Sequence, residues 1–148
     1  MTFTAPTAMV AVVRPAVAPR HQPVPLAGVG VHAGFPSPAD DHVEAGLDLN
    51  ELLVRHREAT FFVRVKGRSM EGAGIRDGDL LVVDRSLTPT AGKIVIAVLD
   101  GDFTVKVLRV KAGRVWLEAA SPDYPPLAAG NLQELVVWGV VTGVVRQV

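Results

Sequence analysis

Cysteine is missing from this chain altogether. Its absence excludes a disulfide-stapled scaffold, a thiolate nucleophile and a zinc site built on cysteine ligands. It also fits a reducing compartment, so we expect a cytoplasmic protein. The sequence contains no His-x-x-x-His spacing, no acidic calcium-binding loop and no phosphate-binding loop ending in Gly-Lys-Ser/Thr. We therefore expect no metal and no cofactor.

The chain also has few aromatic residues, no excess of charge of one sign and no long apolar run. Aromatics make up 5% of the chain although 49% is hydrophobic, so valine and leucine must fill the core. Lysine plus arginine equals aspartate plus glutamate at 15 each, which argues against a nucleic-acid-binding module. No apolar run approaches the roughly 18–20 residues of a membrane helix. The apolar stretch near the start follows no Lys or Arg and is flanked by proline, so no secretory signal is expected.

Proline, by contrast, is concentrated in the first 40 residues. Because proline lacks an N–H and has a fixed φ angle, this segment predicts neither a helix nor a central strand. We expect residues 1–40 to form a flexible, extended arm. Residues 41–148 are then expected to form one folded domain.

The remaining residues carry the patterns of one helix followed by short strands. Apolar positions at helical spacing predict a helix over residues 47–56, with Asp48 as its N-cap. Runs of β-branched residues predict strands at residues 60–66, 79–84, 93–99, 102–110, 114–118 and 135–145. Asp100-Gly101 indicates a hairpin, and Gly139 and Gly143 indicate bends or bulges. About seven strands with one early helix indicate a mostly β, strongly bent antiparallel fold.

A serine in a glycine-rich loop is the first candidate functional residue. Ser69 lies in Gly67-Arg68-Ser69-Met70-Glu71, directly after a predicted strand. Taken alone, such a serine is more often a turn or capping residue. Nearby glycines would allow the backbone N–H groups of Ser69 and Met70 to approach a reacting carbonyl, as an oxyanion hole requires.

A lysine inside an apolar strand is the second candidate. Alternation places Lys106 on the same strand face as Thr104 and Leu108. A lysine in this position is commonly a solvent-facing edge residue. If it is buried, desolvation lowers its pKa, and the neutral amine can remove the proton from a serine hydroxyl.

The other titratable residues form no obvious site. The four histidines, at positions 21, 32, 42 and 56, are most simply surface residues, and none is placed for a histidine-based triad. The aspartates at 77, 79, 84, 100 and 102 lie at predicted strand ends and turns. They are expected to be turn residues or solvated pairs.

Three segments occur in a fixed order: Gly-x-Ser-Met-x-x-x-x-Ile-x-Asp-Gly-Asp-Leu-Leu-Val-Val-Asp, then Gly-x-Ile-Val-Ile-Ala, then Asp-Gly-Asp-Phe-Thr-Val-Lys. Together they closely resemble the LexA/UmuD family of self-cleaving Ser–Lys peptidases, over roughly residues 30–148. The resemblance implies that Ser69 is the nucleophile and Lys106 the general base. It also implies cleavage between Ala33 and Gly34, because the family cuts a small residue–Gly bond upstream of the serine.

The short arm is similar to that of the UmuD group within this family. This similarity implies a role in the SOS response to DNA damage. It implies self-cleavage stimulated by a RecA-type filament on single-stranded DNA. It also implies a shortened homodimer that acts with the catalytic subunit of a Y-family, error-prone translesion polymerase. No sequence-specific DNA binding and no membrane attachment are expected.

Three alternatives remain open on sequence grounds. The domain could be a non-enzymatic, dimeric platform that binds and regulates a polymerase. It could be a processing peptidase that acts on other proteins, like the signal peptidases, which use the same pair of residues. It could also be a transcriptional repressor that lacks its DNA-binding domain.

Overall fold

The computed structural model of the protein describes residues 9–13, 15, 20–27, 30, 31, 33, 43–99, 101–124, 127, 128 and 135–148. Within these residues the chain forms ten β-strands and one α-helix. The strands are β1 (Met9–Val13), β2 (Val24–Ala27), β3 (Val43–Leu47), β4 (Thr60–Val65), β5 (Leu80–Asp84), β6 (Ile94–Leu99), β7 (Asp102–Lys111), β8 (Arg114–Glu118), β9 (Leu127–Ala128) and β10 (Val136–Val145). The helix α1 (Leu49–Leu53) and a 3₁₀ turn (Arg57–Ala59) lie between β3 and β4, and a second 3₁₀ turn (Glu71–Ala73) lies between β4 and β5.

Eight of these strands form one antiparallel sheet in the order β1-β4-β5-β10-β6-β7-β8-β9, and β2 pairs with β3. Strand β10 is central to the large sheet. Its first half pairs with β6, and its second half pairs with β5. The predicted mostly β, antiparallel fold is therefore confirmed.

The two glycines of β10 lie where the strand changes register. One shift, against β6, falls between Val137 and Gly139, and the other, against β5, falls between Val141 and Gly143. Such irregularities bend a strand and increase its local twist. They allow β10 to pair with two neighbours in succession, and the irregularities predicted at the two glycines are confirmed.

The six strands predicted between residues 60 and 145 are all present, and their ends lie within one residue of the predicted bounds. Strands β6 and β7 form the expected hairpin, with Leu99 paired to Asp102. Gly101 in its turn has a φ of 83°, a left-handed conformation that glycine adopts without steric cost. Alternation and turn chemistry were sufficient for this part of the fold.

Strands β1, β2, β3 and β9 were not predicted. The proline pattern conceals β1 and β2, which lie in the first 40 residues. Strand β1 pairs only with β4, at the end of the sheet, which is the position where strands next to proline are tolerated. Strand β9 has only two residues, too few for a periodic signal.

The helix is shorter than residues 47–56 because Leu47 belongs to β3 and Val54 is already extended. Asp48 is the N-cap as predicted, and its carboxylate accepts the N–H of Asn50 at 2.9 Å. Leu52 follows the helical period, yet it remains 50% exposed. A short helix that buries so little apolar surface gains little from packing, which explains its early end. No described helix has the length and apolar character needed to cross a membrane.

The core is aliphatic, as the composition predicted. Most of its fully buried valine, leucine and isoleucine residues lie in the large sheet: Val63, Leu81, Val82, Val83, Val95, Ile96 and Leu117. Trp138 of β10 lies between Phe61 and Phe103, with ring centroids 5.2 and 5.5 Å away. The Arg85 guanidinium lies 4.6 Å from the centroid of the Trp138 ring and covers its outer side.

The bend at Gly139 gives a stability prediction. A Cβ atom there would lie 2.5 Å from Cγ1 of the fully buried Val83, so Gly139→Ala should destabilise the fold by about 1–3 kcal/mol. Urea titration followed by circular dichroism measures this loss. Gly143→Ala is the matched control, since its nearest contact is an ordinary 3.5 Å to Leu53. The control should stay within about 0.5 kcal/mol of wild type. Equal losses at the two positions would contradict the steric explanation.

Candidate active site

Ser69 lies in a loop that follows β4 directly, and residues 67–74 are called the serine loop below. The loop begins and ends with glycines in left-handed conformations, with φ values of 107° at Gly67 and 80° at Gly74. Between them, the side chain of Met70 is 2% exposed and packs into the hydrophobic core. The buried methionine fixes the loop on the body of the domain and leaves the neighbouring Ser69 half-buried at its surface.

A second contact holds the middle of the serine loop. The N–H of Gly72 donates to the carbonyl of Ala120 at 2.7 Å. A Cβ at Gly72 would lie 2.4 Å from that same oxygen, so only glycine allows the two backbones to approach so closely. The loop is therefore held by backbone geometry, independently of the chemistry of Ser69.

Lys106 lies on β7, where it is paired with Val95 of β6. Lys106 is only 8% exposed, because β7 is covered on both faces and lies between β6 and β8. The Nζ atom is 3.0 Å from Ser69 Oγ and 3.1 Å from the carbonyl oxygen of Val105. The fold thus places the two candidate residues within hydrogen-bond distance of each other.

Burial lowers the pKa of Lys106 below the ordinary value of a lysine, because desolvation penalises the charged ammonium. Within the described part of the chain, Lys106 forms no salt bridge that would stabilise its positive charge. Burial therefore makes the neutral amine more accessible than it is in an exposed lysine. A neutral amine 3.0 Å from a hydroxyl can accept its proton and produce a nucleophilic serine.

The space beside this pair is small. Ser69 and Lys106 line a cavity of about 40 Å³ together with Gly67, Thr104 and other residues of the serine loop and β7. A water molecule needs roughly 10–15 Å³ of such space, so the cavity can hold water beside the pair.

The backbone N–H groups of Ser69 and Met70 were predicted as oxyanion donors. Among the hydrogen bonds of the described residues, neither of these N–H groups is a donor. Their role as oxyanion donors stays a prediction. The predicted cleavage bond is described only on one side: Ala33 is exposed, and Gly34 lies outside the described residues.

Two of the aspartates contradict the expectation of turn residues or solvated pairs. Asp79 and Asp84 are buried, with exposures of 2% and 4%. Asp79 forms two hydrogen bonds with the Arg146 guanidinium, which holds the pKa of the Asp79 carboxyl below its usual range. Asp84 receives the ring nitrogen of His56 at 2.6 Å and the Ser86 hydroxyl at 2.6 Å. Their partners, at residues 146 and 56, lie far away in the sequence, so local patterns gave no signal.

One group of side chains has the composition of a metal site. The ligand atoms of His21, Asp48 and Glu51 lie within 4.8 Å of one another. Their contacts have a simpler explanation, however, because Asp48 already caps α1 and accepts the N–H of Gln22 at 2.9 Å. The His21 ring bonds to both carboxylates. This cluster tethers residues 21 and 22 to the start of the helix. His32 and His42 lie outside the described residues.

The buried amine gives a prediction that does not depend on activity. Because the pKa of Lys106 is lower in the folded than in the unfolded protein, the unfolded state binds more protons in the intervening pH range. Stability should therefore rise with pH through that range. Lys106→Met removes the buried amine, so it should be more stable than wild type near neutral pH. The difference should narrow as the pH approaches about 10.4, the ordinary value for lysine.

Urea unfolding at a series of pH values measures this difference. Lys111→Met is the matched control, since it removes an exposed lysine from the end of the same strand. Its effect should be the same at every pH. A Lys106→Met effect that does not change with pH would show that the amine is not desolvated.

Comparisons with known proteins identify the family. The family model described as Peptidase S24-like matches residues 25–142. Protein SamA from Salmonella typhimurium is 47% identical over 135 residues, which cover 88% of this chain and 94% of that protein. Protein MucA from Escherichia coli is 48% identical over 113 residues, which cover 76% of this chain and 77% of that protein. The LexA repressor of Ectopseudomonas mendocina is 37% identical over 134 residues, which cover 90% of this chain and 65% of that protein.

The family match includes β4, the serine loop and β7, and therefore both Ser69 and Lys106. It extends over well more than half of the chain, and the resemblance drawn from the motifs is confirmed. The protein belongs to the Peptidase S24 family of serine peptidases.

Proposed function

We propose that this protein cleaves its own chain between Ala33 and Gly34, with Ser69 as nucleophile and Lys106 as general base. The observation that carries the proposal is the 3.0 Å contact between Ser69 Oγ and the buried Lys106 Nζ. Among the described residues Lys106 has no carboxylate partner, and a lysine held out of water beside a serine in this way is costly to maintain for structural reasons alone. Its placement is explained if the neutral amine is needed for chemistry.

The reaction begins with proton transfer. The neutral Lys106 amine accepts the Ser69 hydroxyl proton while the serine oxygen attacks the carbonyl carbon of Ala33. The backbone N–H groups of Ser69 and Met70 stabilise the negative charge that develops on the carbonyl oxygen. When the Ala33–Gly34 bond breaks, the Lys106 ammonium returns the proton to the departing Gly34 amine. An ester between Ser69 and Ala33 remains.

Water completes the cycle. The neutral Lys106 amine removes a proton from a water molecule, which attacks the ester carbonyl of Ala33. The ester C–O bond breaks and the proton returns to Ser69, so the products are a new carboxylate at Ala33 and a regenerated serine. The small size of the cavity beside the pair supports small residues at the cut.

The cellular role that we propose is that of an SOS-response accessory protein. The relatives SamA and MucA, which align with most of this chain, and the LexA repressor support this assignment. In this role a RecA-type filament on single-stranded DNA stimulates cleavage by favouring the docked position of the arm. The shortened form is a cytoplasmic homodimer that acts with a Y-family translesion polymerase in DNA-damage tolerance and mutagenesis.

The first test is the intact mass of the purified protein after incubation at about pH 10, close to the ordinary pKa of lysine. We expect a fragment that begins at Gly34 in wild type, and no fragment from Ser69→Ala or Lys106→Ala. Circular dichroism of both variants should show an intact fold. If wild type remains uncut even with RecA filaments on single-stranded DNA and nucleotide, the protein is a non-enzymatic binding platform.

The second test is the dependence of the cleavage rate on pH without a stimulating partner. Since burial lowers the pKa of Lys106, the rate should rise by about tenfold per pH unit while the amine is protonated. It should level off below the pH at which an exposed lysine would lose its proton. A flat rate between about pH 6 and pH 10 would contradict a lysine base.

A further inference from the structure

The turn that follows the serine loop contacts the loop at its first residue. The Asp77 carboxylate accepts the backbone N–H of Gly67 at 2.7 Å. Gly67 is the left-handed residue at which the chain leaves β4, two positions before Ser69. A hydrogen bond at this point fixes the direction in which the serine loop departs from the sheet.

The backbone groups around Gly67 are already paired in a regular way. The N–H of Val65 donates to the carbonyl of Asp79 at 2.8 Å, and the N–H of Gly78 donates to the carbonyl of Val65 at 2.8 Å. The ladder between β4 and the turn therefore ends at Val65. Beyond Val65, the Asp77 side chain accepts the N–H of Gly67. In a continued ladder a backbone carbonyl would be the acceptor.

The other end of the serine loop is held through the same turn. Arg146 donates to the carbonyl of Gly74 at 2.9 Å and to both carboxylate oxygens of Asp79. Asp79 in turn accepts the N–H of Arg76 at 2.7 Å. Residues 76–79 thus hold the loop at its entry through Asp77 and at its exit through Asp79 and Arg146.

We propose that Asp77 is a positioning residue for Ser69: its hydrogen bond to Gly67 keeps the serine hydroxyl within reach of the Lys106 amine. The inference rests on the proposed function. Asp77 does not touch the reacting atoms, so it acts only through the course of the serine loop. Met70 and Gly72 fix the loop beyond Ser69, and Asp77 supplies the corresponding constraint before it.

The effect should be large on reactivity and small on folding. Displacing a reacting group by about 1 Å can reduce a rate by about a hundredfold. Asp77 is exposed, so water can replace its carboxylate at the Gly67 N–H when the side chain is removed. The serine loop then loses its fixed entry without leaving a buried group unpaired.

The test compares Asp77→Ala with Asp77→Asn, whose side-chain carbonyl can still accept the Gly67 N–H. Asp123→Ala is the matched control, because it removes an exposed aspartate whose backbone, not its carboxylate, makes the turn hydrogen bond to Ser121. Asp77→Ser, whose hydroxyl is one bond nearer the backbone than the aspartate oxygens, replaces the alanine variant if that variant does not fold. Urea unfolding establishes the folded fraction of each protein.

Two rates are measured per folded molecule. One is self-cleavage at alkaline pH. The other is labelling by a small fluorophosphonate, in which the Ser69 oxygen bonds to phosphorus, fluoride leaves and Lys106 takes the proton. Labelling reports the serine itself and needs no docking of the arm. We expect Asp77→Ala to lower both rates by about ten- to a hundredfold, and Asp77→Asn and Asp123→Ala to stay near wild type.

Two results would overturn the inference alone: labelling of Asp77→Ala at the wild-type rate, or an Asp77→Asn variant as slow as Asp77→Ala. A loss that disappears when the rate is expressed per folded molecule counts as the first of these results, since the role would then be structural. If wild type itself is neither labelled at Ser69 nor cut, the proposed function fails, and the inference fails with it.

Discussion

A lysine amine held out of water next to a serine hydroxyl is the constraint on which this structure depends. Burying a side chain that is ordinarily charged opposes folding unless the charge is lost. The sheet meets this demand by covering β7 on both sides, with β6 and β8 as neighbours and an aliphatic core beneath. The lowered pKa of Lys106 therefore arises from burial within the whole sheet and from no single contact.

The Ser69 hydroxyl must also lie within hydrogen-bond distance of that amine. The serine loop places it there. A loop offers reach but little rigidity, so the fold supplies tethers along it. Met70 enters the core, Gly72 binds the carbonyl of Ala120, and the turn at residues 76–79 holds both ends. One of these tethers, the hydrogen bond from Gly72 to Ala120, needs a close backbone approach that only glycine allows.

Sequence patterns predicted the strands around the site well, because β4 to β8 and β10 have strong alternation or clear turn residues. They also singled out Ser69 and Lys106, but only together. Each residue alone has a more common structural explanation. What the sequence could not supply was pairing between distant residues: Asp79 with Arg146, Asp84 with His56, or β1 with β4. Such contacts depend on how the sheet closes, which local periodicity does not encode. The same limit explains the helix, whose apolar spacing extends beyond the residues that the fold keeps helical.

Strand β1 makes the arm part of the large sheet, although the proline content of the arm predicts no such strand. It pairs with β4 through Met9, Val12 and Val13, and β2 pairs with β3, so chain on the amino-terminal side of Ala33 completes both sheets. A cut after Ala33 would turn these pairings from contacts within one chain into contacts between two separate molecules. They would lose the high effective concentration that a covalent link provides. Departure of the fragment would leave β4 with a row of unpaired N–H and C=O groups, ready to accept a strand from another protein. A single broken bond would thus convert an internal strand into a new edge of the sheet.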